Sequence, residues 1–140
     1  MIYKYIEWLV ILLATIIISY TLSIGAVQAE DKVRTLDSEI IRLSKQYAIS
    51  EKNQKIIRKI ISCESQNNPL ATNENKDKNG KVWSVDYSYF QINDYFHKET
   101  MKSLGLEITN PWDNLEYGFM LIDKGGFRFW EASKKCWAQK

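Results

Sequence analysis

The fold class this sequence predicts is a small, mainly α-helical α+β domain with one β-hairpin, preceded by a hydrophobic N-terminal segment. Three observations predict it. Ile56, Ile57, Ile60 and Ile61 recur at helical spacing. Between Ala71 and Asn93 the period changes to alternation around Asn79-Gly80, a strong hairpin-turn signal. Ahead of both lies an uncharged apolar run from Trp8 to Val27. At 140 residues the chain suffices for one domain with a modest core.

The N-terminal run comes first. Lys4 precedes it, and Val27-Gln28-Ala29 offers a small-residue cleavage site before Glu30, as in an export signal. The run is about twenty residues, longer than a usual signal core and long enough to span a bilayer. Residues 1–29 therefore read as a signal peptide or as a retained membrane anchor. Either delivers the remainder outside the cytoplasm, with Lys4 on the inner side. Two cysteines in an exported domain predict a Cys63–Cys136 disulfide, with two buried free thiols as the other reading. The bridge would close a loop of roughly 70 residues and contribute about 4 kcal/mol on the chain-entropy model. The formal net charge of +2, with Lys and Arg scattered, is no nucleic-acid signature, and it tolerates an anionic polymer such as cell wall without identifying one. With His97 the single histidine and no CxxC pair, neither a metal site nor a cofactor is expected.

Residues 30–50 form a leader and 51–140 the domain. Asp31 to Tyr47 reads as a helix with Leu36, Ile40, Leu43 and Tyr47 on one face. Lys32, Arg34, Glu39, Arg42 and Lys45 face water. Such a helix either packs on the domain or serves as a stalk. Ser50 as N-cap, with Glu51 in the first turn, starts the isoleucine helix. Asn67-Asn68-Pro69 stops it. Near its end Glu64 falls three after Ile61, four after Ile60 and seven after Ile57, which places a carboxylate on the buried stripe. An ionised acid is costly to bury, so this group should be paired or hold its proton to higher pH. A carboxyl protonated near neutrality is what a general acid needs; an ordinary structural Glu at a helix end is the alternative.

In Val82–Tyr87, alternation puts Trp83, Val85 and Tyr87 on one face and Ser84, Asp86 and Ser88 on the other. Asp86 thus sits on a polar strand face suited to lining a cleft, or is a solvated hairpin aspartate. Asn75, Asp77, Asn79, Gly80 and Asp86 partly match a calcium loop, but the first position is Asn and the flanks read as extended, against an EF-hand. Asp94–Ser103 reads as a helix ending near Leu104-Gly105, carrying His97 in a surface or structural role. Asn110-Pro111 opens another, with Trp112, Leu115, Phe119 and Ile122 on its stripe and Gly125-Gly126 at its end. A short last helix carries Trp130, Ala132, Cys136 and Trp137.

Three ordered motifs and a closing helix now stand out. Cys63-Glu64-Ser65-Gln66-Asn67-Asn68-Pro69-Leu70-Ala71 resembles the "ES-x-x-(N)-P-x-A" motif of the lysozyme-like muramidases, including the SLT-type lytic transglycosylases. Asp86 to Asn93, DYSYFQIN, is similar to the "DYG-L-(F/M)-QIN" motif that follows it there. Asn110-Pro111-Trp112-Asp113-Asn114-Leu115 with Gly118 resembles "(D/N)P-x-x-N(L/I)-x-x-G", and Trp130-Glu131-Ala132 resembles the closing "W-x-A" helix. Together they span about Ile56 to Trp137. Ser88 stands in place of the motif's Gly and Tyr89 in place of Leu. The Tyr-Asn pair common in the last transglycosylase helix is absent, Cys136-Trp137 taking that place.

The resemblance implies a lysozyme-like fold, with the acid at a helix end and a hairpin across a sugar-binding cleft. It implies peptidoglycan glycan strands as partner, cut at the MurNAc–GlcNAc β-1,4 bond, with Glu64 and Asp86 as catalytic residues. Ser65, Tyr87, Gln91, Asn93 and Trp130 would be substrate-binding, with Tyr89 another aromatic candidate. The protein would be an exported monomer, in contact with the membrane where the N-terminal segment is uncleaved. In a transglycosylase Glu64 alone serves as acid and then base; in a hydrolase Asp86 acts as the second carboxylate. A catalytically silent glycan-binding module and an accessory component of an envelope-spanning machine are the competing classes. The acid on the buried stripe argues against the silent binder, which gains little from a desolvated carboxyl.

Overall fold

The computed structural model describes residues 34–139. Residues 1–29, read as signal or anchor, and the first part of the leader lie outside the described residues. Among the described residues no helix is long and apolar enough to cross a membrane. The elements run α1 (Leu36–Gln46), α2 (Glu51–Ser65), β1 (Thr72–Lys76), β2 (Val82–Tyr87), β3 (Ile92–Asn93), α3 (Asp94–Ser103), α4 (Pro111–Gly125), a 3-10 helix (Gly126–Ser133) and α5 (Lys134–Trp137). This is the expected mainly helical α+β arrangement, with an antiparallel sheet in the order β1-β2-β3. The expected hairpin gains a short third strand, in which Asn93 pairs with Asp86 and Ile92 with Tyr87.

The leader packs onto the domain. Ile40 and Leu43 of α1 are buried in one core with Ile57, Ile60 and Ile61 of α2 and Leu115, Phe119 and Ile122 of α4. A single compact unit therefore begins at Leu36. Arg34 and Thr35 stand outside the helix, and Asp37 and Glu39 occupy its first turn, where the helix dipole favours them. Glu39 was expected to face water but is only 3% exposed. The Arg42 guanidinium, one turn on, reaches back to Glu39 Oε1 from Nη2 at 2.6 Å and from Nε at 3.0 Å. A forked, charge-assisted pair of this kind offsets the desolvation of the carboxylate.

The Ser50 hydroxyl caps α2 by accepting from the Asn53 N–H. Its apolar stripe is fully used: Ile57, Ile60 and Ile61 are completely buried. Gln66 and Asn67 turn to left-handed φ values of 54° and 63°, so the chain reverses just after Ser65. Asp77 builds the hairpin turn by accepting from the Asn79 and Lys81 N–H groups at 2.8 and 3.0 Å. Gly80 supplies the φ of +80° there.

On α4, Asn110 caps the Trp112 and Asp113 N–H groups. A Cβ at Gly118 would lie 2.1 Å from Phe90 Cδ2, so the missing side chain is what lets the β2–β3 loop settle against the helix. The expected last helix is instead a 3-10 run broken at Trp130, where φ and ψ are −114° and 26°, followed by the four-residue α5. The break lets the Trp130 indole enter the core, 4% exposed, while its carbonyl accepts from Trp137 Nε1 at 2.9 Å. Cys63 and Cys136 form the expected disulfide, tying α5 to α2.

Candidate active site

Glu64 lies in the last turn of α2, where the isoleucine stripe reaches the surface of the core. Its carboxyl is half-buried and stands at the junction of two lobes of one cleft. The wider lobe has a volume of about 660 Å³ and runs past Gln66, Asn68 and Asn73. The narrower, about 300 Å³, runs past Phe96, His97, Phe129 and Trp130. Glu64, Asp86 and Gln91 line both. Burial pushes the Glu64 carboxyl above the usual carboxylate range. The Ser133 hydroxyl, donating to Oε1 at 2.5 Å, partly offsets that rise, and the nearby Asp86 charge adds to it. The last turn of α2 therefore sets in an open cleft a carboxyl that burial makes a weaker acid.

Asp86 occupies the cleft side of β2, as alternation predicts. Its Oδ1 accepts from Asn93 Nδ2 at 2.6 Å, and its Oδ2 accepts from Asn75 Nδ2 at 3.0 Å and Asn73 Nδ2 at 3.3 Å. Neighbouring Ser84 is buried and accepts from Asn93 Nδ2 at 2.9 Å, so the polar row of β2 faces inward. Asn93 has a third duty: its Oδ1 accepts from the Tyr95 N–H and caps α3. Of the residues in the partial calcium match, Asn75 holds the Asp86 carboxylate, together with Asn73 and Asn93 from outside it. Cross-strand pairing sets Asn73 opposite Asp86 and brings them together.

Behind the cleft, α4 fixes the second motif. Asn114, fully buried, accepts from the Phe90 N–H at 3.1 Å and donates to the Tyr87 carbonyl at 2.9 Å. Gln91 Nε2 donates to the Ser88 carbonyl at 2.8 Å and the Ala71 carbonyl at 3.2 Å. Gln91 therefore braces the floor that it lines. Ser88 takes a φ of +59°, the left-handed backbone that Gly adopts most readily, so the departure from the motif leaves the loop conformation accessible at a modest steric cost.

Of the remaining expected site residues, Ser65 lines the wider lobe, but its hydroxyl donates to the Ile61 carbonyl at 3.0 Å. Trp130 forms an inner wall of the narrower lobe: its ring centroid is 4.9 Å from that of Phe90 and its Nε1 donates to the Phe90 carbonyl at 3.0 Å. Tyr87 is not brought to Glu64. It points opposite to Asp86 and lines a separate hollow of about 220 Å³ with Leu70 and Thr109. Tyr89 is buried against Trp112. His97 is half-buried, its Nδ1 lies 3.0 Å from the Tyr117 hydroxyl, and burial lowers its basicity.

Sequence reasoning assigned no role to Ser133, Asn114, Asn73 or Asn75 at the site. A signal for Ser133 was present: it lies three before Cys136, and Cys63 directly precedes Glu64, so the bridge brings Ser133 toward the acid. No protein-family model, curated protein or solved structure matches this chain.

Proposed function

We propose that this protein is a peptidoglycan-cleaving muramidase of lysozyme-like fold, exported and acting on the MurNAc–GlcNAc β-1,4 bond. The observation that carries the reading is Glu64: a half-buried carboxyl that burial makes a weaker acid, placed where two lobes of an open cleft meet. Such a group can protonate a glycosidic oxygen as the bond breaks. The wider, polar lobe, lined by Asn68, Asn73 and Gln91, suits a glycan chain with amide and hydroxyl groups to pair. The Cys63–Cys136 bridge is compatible with an extracytoplasmic setting.

In the lytic transglycosylase course, Glu64 gives its proton to the leaving oxygen and then, as carboxylate, accepts one from the sugar hydroxyl that closes the anhydro ring. In the second reading, a hydrolase, Asp86 steadies or captures the positive charge that develops on the sugar while water completes the cleavage. That reading is favoured by the position of Asp86 on the same two lobes as Glu64.

Purified full-length protein is expected to clear peptidoglycan, and Glu64→Gln to reduce the rate at least 100-fold, the upper end of general-acid contributions being about 10⁴. An unchanged circular dichroism spectrum would show that the variant is folded. Full activity in Glu64→Gln would remove the acid assignment. Mass spectrometry of the products separates the two courses: anhydro-muramyl ends mark a transglycosylase, reducing ends a hydrolase.

A further inference from the structure

The Ser133 hydroxyl has one proton and two acceptors within reach: Glu64 Oε1 at 2.5 Å and the Trp130 carbonyl oxygen at 3.2 Å. From this geometry we infer that Ser133 is a positioning residue for Glu64 that follows the acid's protonation state. When Glu64 is a carboxylate, the hydroxyl turns to donate to Oε1. When Glu64 carries its proton, the hydroxyl turns to donate to the Trp130 carbonyl and its oxygen accepts from the acid. Both states are then satisfied by rotation about a single bond, with no movement of the backbone. An acid that must give up a proton and regain it needs such a partner, since a fixed donor would stabilise the carboxylate alone and a fixed acceptor the acid alone.

The surroundings hold this rotor in place. The Trp130 carbonyl also accepts from Trp137 Nε1 at 2.9 Å, and Trp130 is itself fixed through Nε1 to the Phe90 carbonyl. The Cys63–Cys136 bridge, beside Glu64 at one end and one turn past Ser133 at the other, closes the frame. Other charged or titratable groups around the carboxyl are Asp86 from β2 and His97 from α3, which line the same lobe. On the terminal segment Glu131 and Lys134 pair with each other at 2.7 Å. None of these is within a hydrogen bond of Glu64, so Ser133 is the contact through which the frame acts on the acid.

The inference rests on Glu64 being the acid of the proposed reaction, and its test uses two readouts. Ser133→Ala in the full-length protein is expected to lower kcat about ten-fold, a hydrogen bond to a charged group being of that order, with KM little changed. Because the hydroxyl's bond to the carboxylate is stronger than its bond to the neutral acid, its removal also moves Glu64 toward the protonated form, and the alkaline limb of the pH–activity profile shifts to higher pH. Carboxyl-carbon NMR should show the Glu64 midpoint move the same way. Ser133→Thr, which keeps the hydroxyl, should restore both. If Ser133→Ala is folded and leaves the Glu64 midpoint and the alkaline limb in place, the inference is overturned. If the wild-type protein proves inactive on peptidoglycan, the proposed function fails, and the carboxyl titration still reads the Ser133–Glu64 link by itself.

Discussion

Glu64 carries two opposed demands at a single residue. Burial strengthens its hold on the proton an acid must carry, yet the same burial makes the ionised form unfavourable in the folded chain. Because the folded carboxyl titrates above its unfolded value, the folded state binds more protons in between. Stability therefore falls as pH rises from the ordinary carboxylate range through the raised native value, and is level beyond it. Glu64→Gln removes this dependence. The variant's melting temperature is expected to exceed the wild type's near neutral pH, and the difference to close below the usual range of a free carboxylate. Thermal scans across that interval would check it, and a Glu64→Gln protein less stable at neutral pH would contradict the burial argument. Activity would be lost where stability is gained, as expected at a site where an acid is held against its solvation preference.

At the scale of elements, the cleft floor is a loop held from behind. The Tyr87–Gln91 segment owes its shape to α4, where Asn114 joins the Phe90 N–H and the Tyr87 carbonyl and Gly118 leaves room for the Phe90 ring. A methyl group at residue 118 would meet that ring at 2.1 Å. Gly118→Ala is therefore expected to destabilise the fold by about 2 kcal/mol, in the range of overpacked cores. It should also lower activity, because Phe90 supports Trp130 and the narrower lobe. Urea unfolding with an unchanged m-value would give the cost; a loss under about 0.5 kcal/mol would mean that the ring moves aside freely. The spacing of the third motif, Asn114 then Gly118, thus has a packing reason: residues four apart lie on one helix face, here the face against the loop.

For the whole molecule, one covalent tie joins the end of α2 to the C-terminal helix. Cys63 and Cys136 are separated by 73 residues, so reduction frees a long loop in the unfolded chain and should cost about 4 kcal/mol of stability. Denaturation with and without reductant measures it directly. Because the bridge frames Ser133 and Glu64, activity should fall on reduction even at temperatures where the protein stays folded. If activity is unaffected while stability drops, the bridge serves the fold alone. The α1 helix adds its own share by burying Ile40 and Leu43 in the common core. A chain cut before Ser50 would expose the apolar surface they cover.

What was legible in the sequence was whatever depends on neighbours along the chain. Caps at Ser50 and Asn110, the Asn79-Gly80 turn, the isoleucine stripe and the place of Glu64 beside it all follow from spacing and local chemistry. So does the alternation that sends Asp86 to one face and Tyr87 to the other. Only the tertiary structure decided which groups meet across it. It buried Glu39 against Arg42, broke the last helix at Trp130, and turned that indole into a wall held by Phe90. It also gathered three asparagines from separate positions around Asp86 and set Ser133 on Glu64, a residue 69 positions away. Periodicity fixes the face on which a side chain lies; its partner there depends on how the faces close, and that is settled by packing over the whole domain.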